Sequence, residues 1–487
     1  MTRKIEKNSI LSIIKTISSI VFPLFIFAYV SRVLSVDNVG KVNYSNSIVS
    51  YFSLLAALGI GTYGIRLCST IKNDKEELNR TASQLFSINI LSTLLSYLIL
   101  SIVLIVASSL EQHRIIIIIA SANIILSTLG ADWINTAFED YKYITIRTLC
   151  MQIITLVLVL VFVRSQDDYI QYVLISLVSS GGANVLNIFY RRKYCKMQFT
   201  FDLNIKKHLP PILLLFLMLS AQIIFTSSDL TIIGTVLGDY SAGIYGAAIK
   251  IYNIVSNLLC SITFVVLPSL SKAYFNDDIA SIKESSTYAF DFLSTLGIPA
   301  TFGLFFLSSE IIVTLIGASY LDAVLPLQIL SISLLVNVFC CFIFNINLLA
   351  SGKDKLCTFT CILSAIINLV GNIIFIPMFG IIAAAITTML SQIIILFIGI
   401  PFIDKRLFDK KMFKDIPIII LLTLFIVGEI YLFRFLISII WLRLLLSVII
   451  GIIAYFGLGL LFKNRLIVKY FNLIKDEILK ITHKERQ

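Results

Sequence analysis

Apolar runs of about twenty residues alternate with short polar stretches along the chain from Ser9 to the Phe462 region. A helix needs about 20 apolar residues, at about 1.5 Å each, to cross the hydrocarbon core of a bilayer. The pattern therefore predicts fourteen membrane helices. They lie near 9–34, 43–65, 82–108, 115–135, 144–163, 168–190, 209–234, 242–268, 286–308, 323–350, 357–378, 380–401, 416–437 and 440–462. After Phe462 the pattern changes. Ile467, Phe471, Ile474, Ile478 and Ile481 share a stripe of helical period, with Lys469, Lys475, Lys480 and Lys484 interspersed. That spacing predicts an amphipathic helix on an anionic membrane surface, with a solvated tail as the alternative.

Composition agrees with an all-α polytopic membrane protein. Mean hydropathy is +0.95, 58% of residues are hydrophobic and 14% are charged, against roughly 25% charged in a soluble domain. The net charge of +11 matters through its placement. With the N-terminus in the cytoplasm, thirty-one of the 39 Lys and Arg fall in cytoplasmic segments. Only Arg32, Lys41, Arg114, Arg164, Arg434 and Arg443 fall outside, and Lys15 and Lys250 lie within spans. This is the positive-inside asymmetry, and an even span number puts both termini in the cytoplasm. The basic excess is thus a topology signal, and nucleic acid is not an expected partner. The first apolar run is too long for a cleavable signal peptide.

None of the eight cysteines sits in an outer loop, where a disulfide would be expected. Cys357 and Cys361 are one turn apart, but His113, His208 and His483 are scattered, so small core residues are a better reading than a metal site. Trp133 and Trp441 fall near span ends, where the aromatic belt is the default place for them.

The longest basic loop, 191–208, separates a six-helix bundle at 1–190 from a second at 209–401. Two further helices occupy 402–462 and the tail 463–487. A repeat supports this division: Val33–Gly40 corresponds to Val236–Gly243, each after the first helix of its half. Parallel halves around a cavity are a recurring transporter design.

Charged groups inside spans are costly, roughly 2.5–3.5 kcal/mol on insertion scales, and usually face a partner or water. Asp229 and Lys250 lie near the outer ends of consecutive antiparallel spans. They are read either as a cavity-lining pair for anion binding or proton coupling, or as a structural ion pair. Lys15 is either a cationic cavity wall or a snorkelling anchor. Arg66 ends the second span as an interface anchor or a cavity cation. Glu429 lies deep in span thirteen, with Arg434 and Arg443 as prospective partners, whereas Asp291 and Glu310 near span ends need no special role. Amides are dense, among them Gln222, Asn253, Asn257, Asn345, Asn347, Asn368, Asn372 and Gln392, as helix glue or as the lining of a wet cavity. No phosphate-binding loop, dinucleotide loop, zinc spacing or catalytic constellation is present, so neither an enzyme nor a cofactor is expected.

Three segments resemble a known family. Gly352-Lys353, followed by Asn368-Leu-Val-Gly-Asn372, Ile376-Pro377, Gly380 and Ala383-Ala-Ala385, resembles the C-terminal signature of polysaccharide flippases. Asp229 through Gly243-Ile-Tyr245 and Lys250 resembles their central segment. Ala131-Asp132-Trp133, Glu139, Lys142 and Arg147 resemble a stretch of Wzx-type O-antigen and capsule flippases, although Asn135, Thr136 and Ala137 stand where Phe, Gln and Gly are common. The resemblance is to the multidrug/oligosaccharidyl-lipid/polysaccharide exporter superfamily. It implies a twelve-helix core of two bundles with a central cavity in a bacterial cytoplasmic (inner) membrane. The implied activity moves a polyprenyl-pyrophosphate-linked oligosaccharide outward by alternating access, for O-antigen, capsule or another exopolysaccharide. Fourteen spans also resemble the peptidoglycan-precursor flippases.

On this reading Lys15, Arg66 and Lys250 meet the pyrophosphate. Asn253, Asn257, Asn368 and Asn372 line the cavity. Asp229 and Glu429 are the ion-coupling or charge-pair sites, with protons or sodium ions as coupling partners. Membrane lipid, the polysaccharide polymerase and chain-length machinery are the other implied partners. Competing readings are a cation-coupled multidrug exporter, better served by acids and aromatics, and a membrane polymerase or glycosyltransferase, which would want a larger outer loop. A structural membrane protein would not need polar groups buried so deeply.

Overall fold

The computed structural model describes residues 18, 21–407 and 410–472. Lys15 and the tail residues Ile474, Ile478 and Ile481 lie outside them. Every regular element among the described residues is helical. Among the described residues thirteen helical stretches are long and apolar enough to cross a membrane, and the shorter helix α1 (Val21–Val33) precedes them.

The first six of these stretches are built from α2 (Val36–Ala57), α3 (Ile60–Thr70), α4 (Lys75–Val106), α5 (Arg114–Gly130), α7 (Tyr141–Phe162), α8 (Tyr169–Tyr190) and α9 (Ile205–Leu237), with the short α6 (Trp133–Ala137) between α5 and α7. Then follow α10 (Asp239–Phe275), α11 (Ile279–Phe306), α12 (Ser308–Ile311), α13 (Val324–Cys341), α14 (Asp354–Phe379), α15 (Ile381–Gly399), α16 (Ile416–Leu436) and α17 (Ile440–Leu461). The chain divides into two compact units, Met1–Gly246 and Ala247–Gln487, with the division inside α10.

Several helices begin earlier than hydropathy predicts, because capping rather than lipid sets their ends. The Asp74 carboxylate accepts from the amides of Glu76 and Glu77 and starts α4 seven residues before the apolar run. Asp278 does the same for α11 through the Ser281 amide. The second predicted span is broken in two, with Leu58 and Gly59 both at positive φ.

In the first unit α2 is central and packs against α4, α5 and α9. The repeat detected in the sequence meets itself here. Gly40 lies against the Asp239 carbonyl, and Gly243 lies against the Val36 carbonyl, so a Cβ on either would overlap backbone. The offset that maps Gly40 onto Gly243 also maps Val36 onto Asp239, so the contact is reciprocal. Hydroxyls continue the seam between α2 and α9: Ser50 Oγ donates to Ser227 Oγ (3.1 Å) and Thr231 Oγ1 to Ser47 Oγ (2.9 Å).

Trp133 is not an interface anchor. It is buried among Ile60, Leu78, Leu85 and Ile134, because Gly64 leaves room for the indole against α3. Trp441 is 58% exposed, as an interface residue would be. The 191–208 segment is tied to α4: the amides of Lys196, Gln198 and Thr200 donate to Asn79, Ser83 and Ser87.

In the second unit α11 packs on α13 and α16, α13 and α14 on α15, and α16 on α17. Cys260 and Cys341 form a disulfide between α10 and α13, although no cysteine was expected where a disulfide could form. The helices bring their Cα atoms to 6.1 Å, within bonding range. After α17 the chain is helical again over 465–472. Ile467 was expected on the leaflet but is buried with Leu422 and Tyr455. The cause is Arg465, which binds Asp291 of α11 (3.2 Å) and Asp415 (3.2 Å) and draws this turn onto the bundle.

Candidate functional site

Helix α10 has two unlike faces. Tyr252, Ser256, Leu259 and Thr263, at helical spacing, are buried. Their polar atoms bond to neighbouring helices: Gln392 Nε2 donates to Tyr252 Oη (3.0 Å), Asn337 Nδ2 to Ser256 Oγ (2.6 Å) and Asn345 Nδ2 to Thr263 Oγ1 (3.0 Å). The other face carries Lys250, Asn253 and Asn257 at i, i+3 and i+7. Asn253 and Asn257 are exposed and Lys250 is half-buried. Hydrocarbon is a poor environment for an exposed amide, so this stripe is the face of α10 suited to water. A shorter stripe of the same kind lies on α9, where Gln222 and Thr226 are exposed one turn apart.

Asp229 is 3% exposed on α9 and accepts from Tyr245 Oη at 2.5 Å. Sequence reasoning named Tyr245 in the central motif but not as a partner of Asp229. The signal was its position: Asp229 stands eight residues before Leu237 and Tyr245 seven after Gly238, which mirrors them across an antiparallel turn. Arg66 is exposed on α3, one turn from Thr62.

Asn368 and Asn372 are fully buried. Asn372 Nδ2 donates to Asn368 Oδ1 (3.1 Å), Asn368 Nδ2 to Thr388 Oγ1 (3.2 Å), and Thr387 Oγ1 to Asn372 Oδ1. The signature therefore places these amides between α14 and α15. Gly352 and Gly380 take positive φ at the turns before and after α14, and Pro377 sits in its last turn. Lys353 Nζ donates to the Phe402 carbonyl at 3.0 Å, beyond the end of α15.

The other motif is a folded corner. Arg147 Nη2 donates to Asp132 Oδ1 at 2.8 Å, and its guanidinium lies 5.3 Å from the Tyr143 ring. Asn135 bonds to Asp132 and Asn187, and Asn187 donates to the Gly130 carbonyl (2.8 Å). Glu139 turns the chain at φ 57° and approaches Lys72 at 3.9 Å. Beside it, Asp140 accepts from Tyr190 and Tyr194. Burial acts to raise its pKa, but those phenols and the Tyr143 amide hold it below the ordinary value.

Glu429 does not pair with the arginines expected for it. Arg434 Nε (2.8 Å) and Arg443 Nη1 (3.1 Å) both bind Glu310, whose side chain is 3% exposed. Burial acts to raise the Glu310 pKa, but the hydrogen bonds from Arg434 and Arg443 bring it below the usual value. Glu310 has a role after all: it joins α12 to the last two helices. The sequence separation of 124 residues or more hid this contact. Among the described residues no group of three His, Cys, Asp or Glu is placed to hold a metal.

Residues 5–274 match the family model described as polysaccharide biosynthesis protein. A candidate O-antigen transporter of Shigella dysenteriae is 23% identical over 275 residues, 55% of this chain and 67% of that one. A protein of Escherichia coli (strain K12) bearing the same name is 20% identical over 52% of this chain and 62% of its own length. The chain thus spans about two thirds of the curated relatives it matches.

Among solved structures, the lipid II flippase MurJ in an inward closed conformation superposes with TM-score 0.72 at 20% identity, covering 96% of this chain and 99% of that one. An inward-facing multidrug resistance MATE family transporter of the MOP superfamily gives TM-score 0.60 at 14% identity, over 79% and 94%. The second likeness covers less of this chain than the first. The fold is thus that of these polytopic transporters, and the chain belongs to the polysaccharide biosynthesis protein family.

Proposed function

We propose that the protein is a flippase. It carries a polyprenyl-pyrophosphate-linked oligosaccharide repeat unit from the cytoplasmic to the outer leaflet of a bacterial cytoplasmic membrane by alternating access. Both termini are cytoplasmic, and no catalysis or bound cofactor is involved. The product feeds O-antigen, capsule or a similar surface polymer, and the polymerase and chain-length machinery act on it next. The names of the curated relatives support this reading.

The observation that carries it is the Lys250–Asn253–Asn257 stripe. An ammonium suits a pyrophosphate, and exposed amides suit sugar hydroxyls. Arg66 and Lys15 are further phosphate-binding cations. Asn368 and Asn372 enter as the buried frame that holds α14 to α15. Asp229 and Glu429 are the coupling sites for protons or sodium ions. A cationic stripe disfavours the drug-exporter alternative.

The test deletes the gene in its host and restores it as wild type or Lys250→Ala. Lipid-linked oligosaccharide is then exposed to an impermeant sugar oxidant on intact spheroplasts. Build-up of protected intermediate, cleared by wild type and not by Lys250→Ala, is the expected result. No build-up on deletion contradicts the proposal.

A further inference from the structure

Glu310 gives a common origin for counting depth along three helices. It binds Arg434 of α16 and Arg443 of α17, and Arg434 Nη2 also donates to the Phe306 carbonyl at the end of α11. Five residues down α11 from Phe306 is Thr301, five down α16 from Arg434 is Glu429, and four down α17 from Arg443 is Ser447. At about 1.5 Å per residue, all three lie roughly 6–8 Å to the membrane side of that knot. Helix α16 packs against both α11 and α17. A second tie fixes α17 against α11 on the far side of this level, where Tyr455 Oη donates to the Thr295 carbonyl at 2.6 Å.

The three side chains are buried, with Thr301 4%, Glu429 9% and Ser447 2% exposed. Thr301 Oγ1, Ser447 Oγ and both carboxyl oxygens of Glu429 have no hydrogen-bond partner among the described residues. Gly451, one turn beyond Ser447, leaves space beside the carboxyl: a Cβ there would stand 3.3 Å from Oε2. The nearest charged groups along these helices are Glu310, Arg434 and Arg443, which engage one another. Tyr455 is committed to Thr295, Tyr431 is 53% exposed, and α13, which also packs on α11, carries no charged residue. Asp291 of α11 lies ten residues from Thr301 and is bound by Arg465.

A buried carboxylate without a cation is strongly disfavoured, whereas the neutral acid is not. Neutral hydroxyls at the same level can accept its proton in a hydrogen bond. We infer that Glu429 is a proton-binding site, a neutral carboxyl held at the level of Thr301 and Ser447 within α11, α16 and α17. The inference deepens the coupling role proposed for Glu429 and rests on that reading for its purpose. The site itself does not depend on the cargo.

The test treats the full-length protein in lipid nanodiscs with dicyclohexylcarbodiimide, which adds to protonated carboxyls in apolar surroundings, and maps the adduct by peptide mass spectrometry. Glu429 is labelled at neutral pH, equally in sodium and in choline chloride. Glu429→Gln carries no adduct there and melts like wild type at neutral pH, because one neutral group replaces another. An unlabelled Glu429, protection by sodium, or a large shift in the melting of Glu429→Gln overturns the inference. No cargo is present, so these outcomes are separable from failure of the flippase reading.

Discussion

Lys250, within a membrane span, and Glu310, just beyond a span end, show how differently two charged groups are used. Lys250 sits beside exposed amides on α10, whereas Glu310 is enclosed by two arginines. Charge-assisted hydrogen bonds contribute about 1.5–3 kcal/mol, a factor of roughly 10–100 in rate or affinity. Lys250→Ala is therefore expected to slow transport by about that factor while the protein still folds, and Lys250→Arg to retain part of the activity. Transport rate beside a melting curve checks both.

Glu310→Gln leaves two arginines without their carboxylate. Breaking a buried pair costs about 3–5 kcal/mol, and a fall in melting temperature reads it. The pH dependence follows from the sign of the shift. The folded pKa of Glu310 is lowered, so its stabilisation is complete above the unfolded value of about 4.3 and disappears as pH falls through the folded value. Wild type should lose its advantage over Glu310→Gln only in acid; an advantage independent of pH would contradict the ion-pair account.

At the scale of elements, the reciprocal contact of Gly40 and Gly243 joins the two copies of the repeat by backbone. Substitution of either by Ala places a methyl group onto a carbonyl, a clash that side-chain motion cannot relieve. Gly40→Ala and Gly243→Ala are expected to lower folded yield or abolish complementation. Gly61→Ala, on a helix with open space around it, should be neutral or stabilising by up to about 1 kcal/mol. Size-exclusion profiles of the three variants check this.

The repeat was legible because Gly40 and Gly243 keep a fixed offset, but their contact was not, since spacing says nothing about which backbones meet. Helix existence was legible from the apolar runs, as membrane helices must satisfy their own backbone. Helix ends were less so, because Asp74 and Asp278 cap helices outside the apolar stretch. The stripe on α10 could be read from the spacing of Lys250, Asn253 and Asn257. Trp133 and Ile467 were misplaced because hydropathy cannot tell an apolar residue at the interface from one packed behind Gly64 or beneath Arg465. Glu310 was passed over because its partners come from helices more than a hundred residues away.

For the whole molecule, the uneven distribution of Lys and Arg makes a topological prediction. A single cysteine introduced at Gln166, in a cysteine-free background, should react with an impermeant maleimide on intact cells. One at Gln198 should react only after permeabilisation, and the reverse pattern would invert the assigned orientation. The family match and the fold frame the remaining claim, that cargo with a pyrophosphate and a sugar head crosses beside the α10 stripe.

The most direct measurement reconstitutes the purified full-length protein in proteoliposomes with a fluorescent polyprenyl-pyrophosphate oligosaccharide and follows its exposure to an impermeant quencher or oxidant. The account predicts that wild type equilibrates the lipid between leaflets, that Lys250→Ala does so about ten-fold or more slowly, and that protein-free vesicles do not. Equal rates for wild type and empty vesicles would contradict it.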